Sequence, residues 1–596
     1  MIYESLYVPK WLRGGVKPNH KGARMEKLIY GGDTESVNGH PNSLQFYSED
    51  IACADILFVN EKTARKKFIA WCAKRKPHIL HVIYFHNLQF DLIELLWGIH
   101  EKFIENGSEF EFTADGFNIR GFYGTPTFCT LRSRSHVHIV LADSFSFFRG
   151  SLERAATLYC PDLPKLQRPL GLGERRYTSA STAFVDYAMR DAQVTFHIGK
   201  AVEELHHEFD LQQCISIADL ASRVFRHRYL SYTIPQPSPD VVHASLDAYH
   251  GGKNNITVPA GWYPKTYGID VSSAYPDAMR NMPAFSNARL YKRYKGGLRV
   301  RRVPDYGVYC VSGRASDCKW PALFDHAFKP MRGEFESVWI QGFDLNAALD
   351  AGEVKLSKIA GWYYDHERDH QAPALRGFCD DFYERKQNEK DKVRRHGYKF
   401  ILNSVSGKFI QTRKKTLKTY VDIDSGDVSS AGELVAGGMF HPFIAAAITA
   451  HTRARIHGLE HDYRALHTAT DGIFTLKKPK RDVVSGDATR LGQLTCDAYG
   501  ELLLVRNKLY IMYGADGQPS LAYPGKNISK FALHGFQGTV FDLERLMKSG
   551  ERRYQINKPN KLRESIARGL TPNEFTTREM KLNIKQIEAF HEHENG

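Results

Sequence analysis

The chain contains no Cys-x-x-Cys pair. Its nine cysteines (53, 72, 129, 160, 214, 310, 318, 379 and 496) are odd in number and scattered. That argues against a zinc ribbon or a disulfide frame and for a reducing compartment. No apolar run of 18 residues occurs, and the opening stretch MIYESLYVPKWLRGG holds no apolar signal core. Neither a membrane span nor a secretory leader is expected, so the expected location is cytoplasmic. No internal repeat or low-complexity tract stands out. Acidic residues are also in short supply, with 67 Asp+Glu against 81 Lys+Arg and a formal charge of +14. Such an excess suits a polyanionic partner, nucleic acid before anionic membrane, although a basic surface without a specific partner would look the same.

What the chain does have is length and apolar content. At 596 residues and 42% hydrophobic it is too long for one core, and about three to five domains or subdomains are expected. Against that background, carboxylates recur at the ends of apolar runs. Leu28–Ser36, LIYGGDTES, predicts a buried strand ending in Asp33 and Glu35. The two-residue period puts both carboxylates on one side, where they repel unless a cation lies between them. A solvated strand end is the plainer alternative. His78–Phe85 predicts a second strand, followed by HNLQFD and a run with Leu92, Leu95, Leu96 and Ile99 at helical spacing. Asp91 then stands at a helix start, with Asn87 just before it, as a helix cap would. Thr182–Glu208 predicts a long helix on which Tyr187 and Asp191 share a face. A surface Tyr–Asp pair, or a Tyr orienting a water beside a metal held by Asp191, would both fit.

Further on, Tyr249-His250-Gly251-Gly252 could turn a hairpin or let backbone amides approach a phosphate. YGIDVSSAYP (267–276) predicts a strand that delivers Asp270 to its end and then turns. Phe378–Lys408 is strongly basic and mostly helical in pattern, and contains Lys386, Lys399 and Asn403. LHTATDGIFT (466–475) predicts a strand, a tight turn at Asp471-Gly472 and a returning strand. NKLYIMYG is strand-like and carries Lys508 and Tyr510, and the chain from about Phe536 is basic with a helical pattern.

In this order the motifs resemble those of family B DNA polymerases, over most of the chain from Asp33 to Tyr510. DTE, NLQFD and YAMRD look like the three boxes of a DnaQ-like (RNase H-like) 3′–5′ exonuclease. The resemblance implies that Asp33, Glu35, Asp91 and Asp191 hold two metals, with Tyr187 orienting the water. Asn87, Phe90 and Ser144 would meet single-stranded DNA, although Ser151-Leu152 competes with Ser144-Phe145 for the Ser-Leu box. The Tyr249, Gly251 and Gly252 box would bind template. DVSSAYP resembles motif A, so Asp270 and Val271 would hold catalytic metal and Tyr275 would crowd the sugar 2′ position. KFILNSVSGK resembles motif B, with Lys386 upstream, so Lys386, Lys399 and Asn403 would bind the incoming nucleotide. Two lysines also suit the charge that builds on a leaving pyrophosphate. ATDG resembles motif C with Asp471, and Lys508-x-Tyr510 the box that holds the primer strand.

The resemblance implies a multidomain α+β and α/β protein in which the exonuclease domain precedes a right-hand polymerase of palm, fingers and thumb. The expected domains are 1–207 exonuclease, 208–280 first palm, 281–360 a TPR1-like insertion and 361–408 fingers. They continue with 409–436, a TPR2-like insertion, 437–535 second palm and 536–596 thumb. It further implies two Mg2+ or Mn2+ per active site, dNTPs, template and primer DNA, and a monomer working in a bacterial host cell. Length and the insertion point to the phage-type, protein-primed branch, with a terminal protein as further partner. A primer-independent relative is the nearest rival. Three departures stand out: Ser406 replaces the motif B Tyr, Ala469 the first motif C Asp, and Gly472 its Ser. Strand parity would set Ala469 beside Asp471, so a supporting carboxylate is expected to be missing. An exonuclease with a decayed polymerase half, or a DNA-binding scaffold without activity, are the readings from other classes.

Overall fold

The computed structural model describes residues 15–19, 25–37, 39–100, 108–167, 182–297, 300–325, 328–421, 428–485, 488–514, 527–549, 553–559 and 575–581. The first unit alternates strands and helices: β1 (Lys27–Val37), β2 (His40–Ser48), β3 (Cys53–Phe58), α1 (Ala64–Ala73), β4 (Leu80–Phe85) and α2 (Leu88–Leu95). It continues through β5 (Ser108–Ala114), β6 (Phe117–Tyr123), β7 (Phe128–Ser133), β8 (His138–Asp143), α3 (Leu152–Tyr159) and α4 (Thr182–Glu208). The sheet runs β3-β2-β1-β4-β8-β7-β6-β5, with β1, β4 and β8 parallel at its centre. β4, LHVIYF, is buried along its whole length, as expected for a strand covered on both faces. Helix α4 lies directly on β1, because a Cβ at Gly31 would fall 1.9 Å from the Ala192 carbonyl oxygen. The missing side chain thus brings the helix that carries Asp191 down onto the strand that carries Asp33.

Helices α5 (Ile217–Val224) and α6 (Pro239–Ala248) lead into a second sheet that begins with β9 (Lys253–Ile256) and β10 (Gly261–Val271). The strand turns at Ser272-Ser273, as expected, and the chain then enters helix α7 (Ala274–Arg280), with Ser273 at φ +52°. Pro276 is accommodated because the first helical turn has no intrahelical use for its N–H. The region expected to be an insertion is a separate sheet of β11 (Tyr291–Lys295), β12 (Gly307–Ala315), β13 (Gly333–Gln341) and β14 (Val354–Tyr364), with α8 (Gly342–Asp350) before β14. Its strand order is β11-β14-β12-β13.

The basic stretch forms two helices, α9 (Ala374–Asn388) and α10 (Lys392–Ser404), which pack on each other and against α5 and α7. A hairpin, β15 (Thr412–Val421) and β16 (Val428–Ala436), follows, with residues 422–427 of the expected second insertion outside the described residues. Helix α11 (Pro442–Tyr463) then packs against β17 (His467–Thr470) and β18 (Gly472–Thr475) of the second sheet, which these two strands, β19 (Val484–Ser485), β20 (Leu494–Arg506), β21 (Leu509–Gly514) and β22 (Ile528–Ala532) complete. The order is β22-β21-β20-β10-β18-β17-β9, so the strand bearing Asp270 sits centrally.

The helical expectation for the C-terminal region holds only for α12 (Val540–Ser549). Beyond it β23 (Arg553–Pro559) pairs antiparallel with β24 (Phe575–Lys581). Tyr554 and Ile556 alternate with polar residues and favour a strand, a period that the many charges obscure. The rest of the expected thumb, 550–552, 560–574 and 582–596, lies outside the described residues. No described helix is long and apolar enough to cross a membrane.

Candidate active sites

Asp270 stands one residue from the end of β10, paired with Gly472 of β18 on one side and Thr495 of β20 on the other. Asp471 is the residue between β17 and β18. Its carbonyl accepts from the Val271 N–H at 2.9 Å, so the main chains of the two motifs are clasped together. The Asp471 N–H donates to the Ala469 carbonyl at 2.8 Å across Thr470, whose φ is +66°. This is a γ-turn of the rarer positive-φ hand, a strained form that a surrounding sheet must enforce. It interrupts strand alternation, so the parity argument for Ala469 does not apply across it. Gly472 is not an arbitrary loss either, because a Cβ there would fall 2.5 Å from Asp270 Oδ1.

Burial and then the Asp471 charge push Asp270 up to about 7, against the pull of Lys530 and Lys399. Asp471 is raised by burial, with Lys530 and Lys508 opposing. A further carboxylate that the motif reading missed, Asp497 of β20, acts on both and is bound by Lys530, whose Nζ lies 2.7 Å from it. An exposed Asp within LTCDAYG carries no local signal of this. Only the pairing of β10 with β20 does.

Most of the other expected residues gather around this pair. The Gly252 backbone passes close to the Thr470 side chain and the Tyr275 hydroxyl. The Tyr275 phenol is pushed up to about 12 by burial, then by Asp471 and Tyr249. Arg453, buried on α11, donates to the Gly251 carbonyl at 2.8 Å and pairs with Asp344 of α8, which fixes the Tyr249–Gly252 loop. Tyr510 is 5% exposed, edge-on to Phe474, and its phenol is raised mainly by burial, with Asp270, Asp471 and Asp497 contributing. Lys508 turns from β20 to β21 at φ +56°. On α10, Lys399 acts on Asp270, and Asn403 one turn later is exposed and donates to the Lys399 carbonyl at 2.9 Å. Lys386 on α9 lies 5.1 Å above the Tyr383 ring.

The first sheet holds a second cluster. Ligand oxygens of Asp33, Glu35 and Asp191 lie within 4.8 Å of one another. Asp91 joins them through its charge on Asp33, and accepts from the Thr34 hydroxyl at 2.8 Å. Asp33 is held well above the carboxylate range by burial and then by Asp191, Glu35 and Asp91. Asp91 is pushed up to about 8, chiefly by burial. Lys165 pulls Asp33 and Asp191 the other way, with its Nζ 2.9 Å from Asp191 Oδ2. The motifs did not point to Lys165, which lies in an irregular stretch whose approach depends on the tertiary fold. Asp191 Oδ1 is buried with no hydrogen-bond partner among the described residues. A buried orphan oxygen beside three other carboxylates fits a hard divalent cation such as Mg2+ or Mn2+, and so does the all-oxygen donor set at Asp270 and Asp471.

Tyr187 lies one turn before Asp191, buried beside Ile56, Phe58 and Leu166. Asn87, at φ +77°, donates its N–H to Asp143 Oδ1 at 3.0 Å. Asp143 also accepts from Leu88 and Phe145, and so locks two loops together, another role that no motif marked. Phe90 is 48% exposed at the start of α2. Ser144, by contrast, is buried with its hydroxyl against His86 Nδ1 at 3.0 Å, and the Ser151 hydroxyl caps α3 by accepting from the Arg154 N–H. Neither serine offers an unengaged hydroxyl to a strand.

No curated protein matches the chain. Among solved structures, phi29 DNA polymerase complexed with primer-template DNA and incoming nucleotides is similar with a TM-score of 0.66 at 16% identity, over 93% of this chain and 100% of that one. Its post-translocation complex with primer-template DNA gives 0.65 at 15% identity, over 94% and 100%. Its complex with single-stranded DNA gives 0.64 at 16% identity, over 92% and 100%. The likeness spans both sheets, so the fold is an exonuclease domain followed by a right-hand polymerase. Residues 174–439 match the family described as DNA polymerase type B, organellar and viral. That stretch is similar to the type B DNA polymerases, and the fold over the chain is similar to that of phi29 DNA polymerase.

Proposed function

We propose that the chain is a DNA-directed DNA polymerase with a 3′–5′ exonuclease, and that it starts synthesis from a terminal protein. The observation that carries the polymerase reading is the clasp of Asp270 and Asp471, remote in sequence and brought together at a strained hairpin. These two carboxylates would hold the ions, with the Val271 backbone beside them. When bound, a pair of divalent ions stabilises the attacking and leaving oxygens of a transferring phosphoryl group. The neutral Tyr275 phenol, packed against the template-side loop, would crowd a 2′-hydroxyl. Lys399, together with Lys386, would face the triphosphate, where charge accumulates on the leaving pyrophosphate. Asn403 would contact the same nucleotide, Lys508 and Tyr510 the primer strand, and Tyr249, Gly251 and Gly252 the template.

For the exonuclease, Asp33, Glu35, Asp91 and Asp191 would hold the ions, with Tyr187 orienting the water and Lys165 holding Asp191. Phe90, exposed beside this cluster, offers a stacking face to single-stranded DNA. Primer-template DNA, incoming nucleotides and single-stranded DNA, present in the similar phi29 complexes, are the partners carried over. Support for protein priming is the separate sheet inserted between α7 and α9, together with the β15–β16 hairpin.

The test is synthesis on a single-stranded template with no primer, with a DNA primer, or with a candidate terminal protein. Extension in all active arms should vanish in Asp270→Ala and Asp471→Ala, and unchanged synthesis in either variant ends the polymerase reading. Synthesis without any primer or terminal protein would move the chain to the primer-independent branch.

A further inference from the structure

A third set of metal-binding side chains lies away from both carboxylate clusters, where the inserted sheet meets α11. His457 and His461 stand one turn apart on α11, and Glu353 sits just before β14. His457 Nε2 is 2.8 Å from Glu353 Oε1, His461 Nε2 is 3.4 Å from that same oxygen, and the two Nε2 atoms are 3.2 Å apart. With Glu353 ionised, protons satisfy at most two of the three contacts in this triangle. If both imidazoles donate to the carboxylate oxygen, their N–H groups point at each other, and if either does not, its contact with the oxygen opposes two lone pairs. A cation at the centre satisfies all three atoms at once. Tetrahedral bonds of about 2.0–2.1 Å separate ligand atoms by roughly 3.3 Å, close to the spacings found here.

The Cys318 thiol, between β12 and β13, is near enough to feel Glu353: burial followed by that carboxylate's charge pushes it up to about 11. Glu353 is oriented from behind, since its Oε2 accepts from the Ala322 N–H at 2.8 Å. Such an outer hydrogen bond aims a carboxylate ligand at its metal. Glu353 and His457 are buried, while the His461 side chain is 41% exposed and leaves a path from solvent. Imidazole donors select Zn2+ over the hard Mg2+ ion.

We propose that Glu353, His457 and His461 form a Zn2+ site that fastens the inserted sheet to α11. The site bears on catalysis only through position. Helix α11 runs through Arg464, at φ +53°, into the hairpin that carries Asp471. Glu460, one turn from His457, accepts from the Thr468 hydroxyl of that hairpin at 2.6 Å. A metal at Glu353 therefore couples the pose of the insertion to the placement of the hairpin. The inference does not depend on the priming mode.

The test uses the full-length protein, stripped with a chelator and reloaded with Zn2+ under excess Mg2+, with metal content and Tm as readouts. The wild type should retain one Zn2+ more per chain than His461→Ala, an exposed change that leaves the fold intact by circular dichroism. The affinity of that equivalent should drop by more than about 100-fold, beyond the upper end of what losing an outer partner does. Glu353→Gln should abolish the Zn2+-dependent rise in Tm. Equal Zn2+ content and equal Tm response in the wild type and His461→Ala would overturn the proposal.

Discussion

The first sheet gathers four carboxylates, Asp33, Glu35, Asp91 and Asp191, against Lys165. The second sets Asp270 and Asp471 among Lys399, Lys508 and Lys530, with Asp497 tied to Lys530. The two balances differ as their proposed substrates differ. A phosphodiester brings a single negative charge, so a pocket that cuts it must supply most of the negative charge that holds the cations. A nucleoside triphosphate brings several charges of its own, and a pocket receiving it needs few carboxylates and gains from nearby lysines. On this view the lone pair at the second sheet is not a depleted version of the first cluster. Ala469, where motif C of the family it resembles carries an Asp, would be tolerable because the proposed substrate completes the charge.

The largest expected effects separate the two clusters. Asp270→Ala or Asp471→Ala should lower the rate of templated incorporation by more than about a thousandfold, about 4 kcal/mol of lost charge stabilisation, while single-strand degradation continues. Asp33→Ala combined with Glu35→Ala should do the converse, stopping degradation with synthesis intact. Cross-effects of similar size in both assays would break the comparison. This double variant should also melt higher than the wild type in chelator near neutral pH, since it removes mutually repelling carboxylates.

A smaller effect follows from proton linkage. Asp270 is raised to about 7 and Asp91 to about 8, so in the metal-free fold each charged form is disfavoured. Their contribution to stability is greatest below the ordinary carboxylate range and is lost as pH rises through those values. Metal-free Asp270→Asn should therefore gain Tm over the wild type at pH 8 and lose that gain near pH 4. Because a cation must displace the proton, Mg2+ affinity should rise with pH through about 7 at the second sheet and about 8 at the first. Tm measured against Mg2+ in Asp91→Asn and Asp270→Asn isolates each site, and coincident midpoints would erase the distinction.

What was legible in the sequence was whatever a short window records. The helix over Thr182–Glu208 and the strand around Asp33 stand as expected, because a buried face imposes its period on the residues themselves. The boxes around Asp270 and Asp471 were legible because a tight turn demands particular residue types. Lys165, Asp143 and the Asp497–Lys530 pair escaped, since each reaches its site from another element and sits in an unremarkable local context. Strands β11 and β14 were missed for the same reason, as their exposed polar residues are explained only by their pairing with each other and by that of β14 with β12. The C-terminal hairpin was hidden under charge.

Asp497 offers the finest test of the comparison. Its carboxylate raises Asp270, while Lys530 lowers it, and the two are held together at 2.7 Å. Asp497→Asn leaves Lys530 charged and without that carboxylate partner, facing Asp270 and Asp471. Two consequences of opposite sign follow. The Asp270 carboxyl becomes easier to ionise, so the pH midpoint of synthesis moves to lower pH. The local potential becomes more positive, so Mg2+ binds more weakly and synthesis at limiting Mg2+ falls by about tenfold or less, the size expected for a partner beyond the ligands. Lys530→Met should move the midpoint the other way, and the double variant should lie nearer the wild type than either single one, because both charges leave together. Degradation of single strands should be unaffected throughout, since neither residue touches the first cluster. If Asp497→Asn instead abolished synthesis as fully as Asp471→Ala, Asp497 would be a metal ligand. The second sheet would then hold three working carboxylates, and its low charge could no longer be explained by what the triphosphate supplies.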